Sequence, residues 1–166
     1  MTKDFDDRMI QAELTELKKG HKSWSRLDTK GKTAFCFRAL GRRHGQRYLV
    51  DNAESVNPYT GKKHDTFGLY DLLVATGKSL IGVQATGTDW AKHIELYQGA
   101  RLETAIHLIE SGVIFEQWGW RKLKAWNKDG TRSQRMIATP KVQVITAKFL
   151  LGKEDATMIY PFSERN

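Results

Sequence analysis

Two short apolar segments decide the fold of this chain: Phe67-Gly68-Leu69-Tyr70-Asp71-Leu72-Leu73-Val74 and Leu80-Ile81-Gly82-Val83-Gln84-Ala85-Thr86. A tight connection, Thr76-Gly77-Lys78, joins them and predicts a β-hairpin in the centre of a sheet. Pairing through this turn would bring Asp71 and Gln84 opposite each other at the far end of the hairpin. Because residues two apart share one face of a strand, Gln84 and Thr86 are expected to point the same way. We expect that end of the hairpin to be open to solvent and close to a basic helix.

Predicted helices and strands surround this hairpin. Apolar residues at spacings of three and four predict helices, and apolar runs bounded by turn residues predict strands. The predicted helices span residues 3–19, 29–44, 88–98 and 101–111, and the predicted strands span residues 46–51, 69–74, 79–85, 113–120 and 136–151. This order favours an α/β fold in which helices flank a mixed sheet.

Length and composition limit the class of protein. A chain of 166 residues suits one compact domain, and 40% hydrophobic residues supply a core, which excludes a largely disordered chain. No apolar run approaches the ~20 residues that span a bilayer, and the N-terminus lacks an apolar signal region. Because Cys36 is the only cysteine, an internal disulfide and a multi-cysteine zinc site are excluded. We therefore expect a cytoplasmic protein without a membrane partner.

The positive charge is concentrated in one stretch. The chain has a formal net charge of +8, yet residues 18–63 hold twelve basic and three acidic residues, a net charge of +9. Such a block usually faces an anion, and nucleic acid is the commonest large one. A second basic group follows residues 118–120, and both groups would contact phosphates with little sequence preference. A solvated basic face without a partner is the alternative.

Asp71 is the most informative polar residue because it interrupts an apolar strand. A carboxylate there is costly unless it is paired, hydrogen-bonded or bound to a metal ion. A carboxylate beside the amide of Gln84, both near basic residues, could hold a hard cation against a phosphate. Alternatively, Asp71 caps a turn or pairs with a lysine, and Gln84 only satisfies the end of a strand.

The ordered combination of these motifs resembles the PD-(D/E)xK nuclease superfamily, in particular Holliday junction resolvase-like proteins and related small phage nuclease-like proteins. Lys30-Gly31-Lys32 resembles the start of the first core helix of the family, and Asp71 matches its metal-binding Asp. Gln84-Ala85-Thr86 stands where (D/E)xK is expected. Trp118-Gly119-Trp120-Arg121-Lys122 resembles the Trp-Gly-Trp-Arg strand of the phage subset.

This resemblance covers residues 29–126 of the single domain. Residues 1–28 remain as an N-terminal helical extension, and residues 127–166 as a C-terminal strand and tail. The resemblance implies a restriction-endonuclease-like core, which consists of a helix, a three-stranded meander, a second helix and a further strand. The metal-binding Asp stands on the second strand of that core, and the (D/E)xK motif stands on the third.

The resemblance also implies a metal site. Asp71, the Gln84 side chain and the Ala85 carbonyl would hold Mg²⁺ or Mn²⁺, and the ion would lower the pKa of a water that attacks a phosphodiester in line. An amide oxygen binds Mg²⁺ less strongly than the carboxylate that the family more often has at Gln84.

Three positions depart from the family pattern. Gln84 replaces an acid, Thr86 replaces the lysine, and no Glu stands in the first core helix near Cys36, where the family often has one. Glu54 is the candidate for the missing carboxylate. Lys78 and Lys92 are the candidates for the missing cation, and Lys92 is the better one because Lys78 lies at the wrong end of the hairpin. Glu54 and Lys92 are included with Asp71, Gln84 and Thr86 among the candidate catalytic residues.

These observations favour a DNA-binding protein that acts as a Mg²⁺-dependent endonuclease on branched or structured DNA, in a bacterial or phage-infected cell. Relatives in the family commonly act as dimers, which implies a possible homodimer. The alternatives are a non-catalytic DNA-binding module of the same fold and a phage–host factor that binds a protein partner through its N-terminal helix. The candidate nucleic-acid-binding residues are Lys30, Lys32, Arg38, Arg42, Arg43, Lys62, Lys63, Arg121, Lys122, Trp24 and Trp126. The two tryptophans are included for stacking on unpaired bases.

Overall fold

A computed structural model describes residues 3–18, 29–44 and 49–162 of the chain. The helices are α1 (Lys3–Lys18), α2 (Thr29–His44), α3 (Trp90–Gln98), α4 (Leu102–Glu110) and α5 (Ala147–Leu150). The strands are β1 (Leu49–Asn52), β2 (Glu54–Val56), β3 (Lys63–Asp65), β4 (Leu72–Ala75), β5 (Leu80–Ala85), β6 (Val113–Trp126), β7 (Arg132–Ile145) and β8 (Thr157–Ile159). Within these ranges, no helix has the length and apolar character needed to cross a membrane.

Six strands form one mixed sheet in the order β1-β4-β5-β6-β7-β8, and β2 pairs with β3 in a separate two-stranded sheet. Neighbouring strands of the large sheet run antiparallel, except for β5 and β6, which are parallel. A parallel pair needs a long crossover connection, and α3 and α4 provide it here. The predicted α/β fold, a mixed sheet flanked by helices, is confirmed.

Both faces of the large sheet are apolar, and each packs against its own helices. On one face, Trp118 of β6 belongs to the same buried cluster as Leu14 of α1 and Leu40 of α2. On the other face, Phe115 of β6 belongs to a second cluster with Tyr97 of α3. Side chains alternate between the two faces of a strand, so neighbouring positions of one strand serve different cores.

The central hairpin has the predicted register. Leu72 lies opposite Val83, which places Asp71 beside Gln84 as expected. The helix predicted over residues 29–44 is α2, with the same bounds. However, β6 continues to Trp126, six residues further than predicted, and β7 begins four residues earlier than predicted. The strand predicted over residues 136–151 is wrong at its end, because β7 stops at Ile145 and Ala147–Leu150 forms α5. The sequence patterns also did not predict α5, β8 or the β2–β3 pair, because elements of three or four residues are too short to display a period.

Arg43 lies inside the protein, although its position in a basic stretch suggests a surface role. Its Nη1 donates to Glu116 Oε1 over 2.7 Å, and the two side chains are only 3% and 2% exposed. The Arg43 Nε donates to the Pro161 carbonyl over 3.0 Å, and Trp118 Nε1 donates to Glu116 Oε2 over 3.0 Å. Arg43 therefore joins α2 to β6 through a buried ion pair, away from any surface that a nucleic acid could contact.

We expect Arg43→Ala to lower the free energy of unfolding by about 3–5 kcal/mol, because it leaves Glu116 buried without its partner. Arg42→Ala is the matched control, since Arg42 pairs with Glu13 at 2.9 Å while its side chain is 43% exposed. The loss in the control should stay below about 1 kcal/mol. Urea unfolding of both variants measures the difference, and equal losses would contradict a special role for the buried pair.

Candidate functional site

Asp71 comes directly before β4 and faces β5. Gln84 Nε2 donates to Asp71 Oδ2 over 2.7 Å, and the Ala85 backbone N–H donates to the same oxygen over 2.7 Å. The Asp71 N–H donates to the Val83 carbonyl, and the Ala53 N–H donates to the Asp71 carbonyl, each over 2.8 Å. Neighbouring segments on both sides of Asp71 thus fix the position of its half-buried carboxylate.

Asp71 begins a row of polar side chains that crosses the sheet. Gln84 lies opposite Gln117 of β6, which lies opposite Gln143 of β7. We call these three glutamines the amide row; their exposed fractions are 5%, 0% and 2%. Gln117 Nε2 donates to the Trp90 carbonyl over 3.2 Å, whereas Gln117 Oε1 and Gln143 Nε2 have no hydrogen-bond partner among the described residues. The amide row is thus a line of buried polar groups on an otherwise apolar face of the sheet. Burial of its unpaired amide atoms costs free energy.

The start of α3 lies over this region of the sheet. A Cβ atom at Gly119 of β6 would overlap the ring of Trp90, so the missing side chain lets the indole approach the strand. Lys141 Nζ lies 3.6 Å from the centroid of the Trp90 ring, within the range of a cation–π contact. Trp90 is therefore fixed against β6 and β7 by its main chain and by its ring.

Tyr97 and His93, four residues apart on α3, experience the carboxylates of the site. Burial raises the pKa of the Tyr97 hydroxyl, and the negative charges of Asp71 and Asp65 raise it further. Burial lowers the pKa of His93, while the negative charges of Asp89 and Asp65 oppose that shift. The negative charge of Asp65 thus shifts the pKa of both residues of α3, and that of Asp71 shifts the pKa of Tyr97. Only Asp71 stands out in the sequence pattern.

Thr86, Lys92 and Glu54 occupy three different environments. Thr86 is 4% exposed and Gln84 is 5% exposed, whereas Asp71 is half-buried, so the end of the hairpin that was expected to be open is accessible only in part, at Asp71. Lys92 is exposed on α3, and its Nζ lies 3.3 Å from Asp89. Glu54 is the first residue of β2, and its side chain lies outside the described part of the structure.

Some of the predicted nucleic-acid contacts are exposed. Lys62 and Lys63 are exposed at the start of β3, and Lys122 is exposed on β6. Arg38 of α2 is half-buried, while Arg42 is exposed and paired with Glu13 of α1.

The other predicted contacts have structural partners or are not described. Arg121 Nη2 lies 2.5 Å from the buried Asp7 of α1. Trp126 is half-buried, and the Arg132 guanidinium lies 3.9 Å from its ring centroid, which covers one face against stacking with a base. Trp24 lies outside the described residues, and so do the side chains of Lys30 and Lys32, whose backbone belongs to α2.

Asp71 and Gln84 supply the two side chains that a hard cation would use. Gln84 turns its amide nitrogen, not its oxygen, toward Asp71, and Ala85 contacts the carboxylate through its N–H rather than the predicted carbonyl. Rotation about the terminal torsion of Gln84, which is a soft degree of freedom, would present the oxygen instead. Within the described ranges, no three His, Cys, Asp or Glu residues are grouped to hold a metal ion. The pair still fits Mg²⁺, which keeps several waters and takes one or two carboxylates beside phosphate oxygens.

Gln117, Gln143, His93 and Tyr97 are the site residues that sequence reasoning missed. The available signal for the two glutamines was the same as for Asp71, namely a polar residue inside a strongly apolar strand. Gln143, for example, stands between two valines of β7. The signal for His93 and Tyr97 was their spacing of four on a helix, which places both on one side.

A scan of protein-family models and searches of curated proteins and of solved structures found no match to this chain.

His93 should make the folded protein less stable as the pH falls. Its pKa in the folded state is below the ordinary value of 6.5, so near and below that pH the unfolded chain binds a proton that the folded chain excludes. Lowering the pH from about 7.5 to about 5.5 should therefore reduce the free energy of unfolding less in His93→Gln than in the unchanged protein.

Urea unfolding at the two pH values measures this difference. His107→Gln is the control, because His107 is an exposed histidine of α4. If His93→Gln and the control keep the same pH dependence, burial of His93 does not contribute to it.

Proposed function

We propose that this protein binds DNA through a nuclease-like α/β core and hydrolyses phosphodiesters in branched or structured DNA with the help of Mg²⁺. The observation that carries the proposal is the pairing of Asp71 with Gln84 across the central hairpin. These two residues stand where the resemblance to PD-(D/E)xK nucleases expects the metal-binding Asp and the acid of the next strand. A cytoplasmic location and a homodimer belong to the same proposal.

The order of elements supports this proposal. α2 precedes a meander of β1, β4 and β5, and α3 and α4 then lead to β6, which is parallel to β5. The resemblance implies the same sequence of a helix, three strands, a helical crossover and a further strand. Asp71 stands directly before the second strand of that meander, and Gln84 stands on the third.

Asp71 and Gln84 would hold the metal ion in this proposal. When bound, Mg²⁺ would polarise a phosphate oxygen and lower the pKa of a bound water. The protein itself would fix the Asp71 carboxylate through the Ala85 N–H, so that little reorganisation is needed when charge develops. Thr86 is buried and cannot supply the positive charge of the usual lysine.

A non-catalytic DNA-binding module is the second candidate. It is favoured by the two N–H groups that already donate to Asp71 Oδ2, which satisfy the carboxylate without a metal ion. In that case, Asp71 would be a structural residue that closes the end of the hairpin.

The two candidates predict different behaviour of Asp71→Asn. If the protein is an endonuclease, it cuts labelled junction or flap DNA only with Mg²⁺ or Mn²⁺, and Asp71→Asn should lower the rate at least about 100-fold, as removal of a catalytic electrostatic group commonly does. Asp155→Asn is the matched control, because Asp155 is an exposed carboxylate between α5 and β8.

Both variants should still bind the DNA in EDTA, which separates loss of catalysis from loss of binding. Binding without cutting by the unchanged protein would contradict the enzyme and support the non-catalytic module. If Asp71→Asn and the unchanged protein cut DNA at equal rates, Asp71 is not part of the active site.

A further inference from the structure

β6 and β7 extend beyond the rest of the sheet. The last residue of β6 that pairs with β5 is Trp118, and the first residue of β7 that pairs with β8 is Val142. Trp118 and Val142 are themselves opposite each other. Beyond that row, residues 119–141 form a two-stranded ribbon without a further strand on either side in the described part of the chain. We call these residues the arm.

The arm is strongly basic. It contains one acidic residue, Asp129, and seven basic residues, which are Arg121, Lys122, Lys124, Lys128, Arg132, Arg135 and Lys141. Five of them, from Lys122 to Arg135, are classed as exposed, whereas Arg121 and Lys141 are half-buried. Lys122 and Lys124 are two residues apart, so they project from the same face of β6.

Helix α1 supports the arm at an irregular point of its pairing. The register between β6 and β7 shifts between Lys124 and Trp126. Gln11 of α1 is 4% exposed and meets the polar groups there: its Nε2 donates to the Lys124 carbonyl over 3.3 Å, and its Oε1 accepts from the Trp126 N–H over 3.2 Å. The same Nε2 lies 3.2 Å from Thr139 Oγ1 on β7, so one side chain holds both strands.

Ring contacts fix the arm further toward its tip. The guanidinium of Arg132 lies 3.9 Å from the centroid of the Trp126 ring, and that of Arg8 on α1 lies 5.6 Å from it. Both distances lie within the range of cation–π contacts. The arm is therefore positioned by α1 from Asp7 to Gln11, while Lys122, Lys124 and Lys128 stay exposed.

We infer that the arm is a β-ribbon that enters a groove of duplex DNA, and that α1 holds it in position through Gln11. This inference rests on the proposed DNA-binding function and assigns its contact element. A two-stranded ribbon fits the major groove, which is about 12 Å wide. α1 contacts the arm as far as Trp126, and the exposed Lys122 and Lys124 would meet the phosphates that border the groove.

Nucleic acid suits the arm better than an anionic membrane. Segments that lie in a membrane interface combine basic residues with exposed aromatic or aliphatic ones. Met136, 51% exposed, is the only large apolar side chain that is exposed on the arm. The charged ribbon therefore matches a phosphate backbone rather than a lipid boundary.

The combined variant Lys122→Ala with Lys124→Ala tests the arm. Binding of a fluorescein-labelled duplex is measured by anisotropy in EDTA at several salt concentrations. The slope of log K against log salt is negative, and each lost phosphate contact reduces its magnitude by about 0.9. The variant should therefore show a slope that is less steep by about 1.8 and bind roughly tenfold more weakly at low salt. Lys148→Ala with Lys153→Ala is the control, because both lysines are exposed beyond the opposite end of β7.

Gln11→Ala tests the positioning role without a change of charge. It should weaken DNA binding severalfold in the unchanged protein but add little in the Lys122, Lys124 double variant, because both changes act on the same contacts. Thr15→Ala is the control on α1, since the Thr15 hydroxyl donates within its own helix to the Gln11 carbonyl. Urea unfolding identifies any loss that comes from global stability.

The outcomes separate this inference from the proposed enzyme. Equal affinity and salt slope in the arm variant, the lysine control and the unchanged protein would overturn the inference while DNA cleavage at Asp71 stands. Arm-dependent binding without cleavage would support the inference and overturn the enzyme. Absence of DNA binding by the unchanged protein, or arm-dependent binding only to phosphatidylserine vesicles, would overturn both.

Discussion

The turn between β4 and β5 is the constraint on which the rest of the structure depends. Backbone and side-chain hydrogen bonds between Thr76 and Ser79 close it, with Gly77 in a left-handed conformation. Because side chains alternate along a strand, a slip of one residue would exchange the two faces of the hairpin. The observed register keeps Val83 in the core against α1 and α2, and it leaves Asp71 beside Gln84 on the opposite face.

This register also explains why one face of the sheet contains polar groups. Gln84 and the Ala85 N–H both donate to the Asp71 carboxylate, and the row of opposite residues continues from Gln84 into the rest of the amide row. A buried amide normally costs free energy unless it is paired. Gln117 Nε2 donates a hydrogen bond to the Trp90 carbonyl, which offsets part of the free-energy cost of burying its amide. This bond also links the amide row to the start of α3. The helix over the site and the polar groups beneath it therefore depend on each other.

The features that could be predicted from the sequence were the local ones. The register of the hairpin follows from a short turn and two apolar runs, and α2 follows from its apolar residues between Phe35 and Leu40 and from Gly45 directly after it. The role of Arg43 could not be predicted in this way, because Glu116 lies 73 residues away and no period connects them. The contacts of Gln11 with the arm could not be predicted either, since its partners on β6 and β7 are more than 110 residues away in the sequence. Charge patterns along the chain therefore identify basic residues but not which of them become buried.

Burial, rather than the net charge of +8, decides which basic residues can meet an anion. Arg43 is buried with Glu116 and Trp118, so its positive charge is paired with the Glu116 carboxylate inside the fold. Lys122 and Lys124 remain in solvent because the arm extends past its neighbouring strands. A buried charge that is paired in the core adds little to the positive potential at the surface, whereas an exposed lysine on the arm adds to it directly. The length of β6 and β7, rather than the density of basic residues in the sequence, therefore determines that the lysines of the arm are the ones that a phosphate backbone could contact.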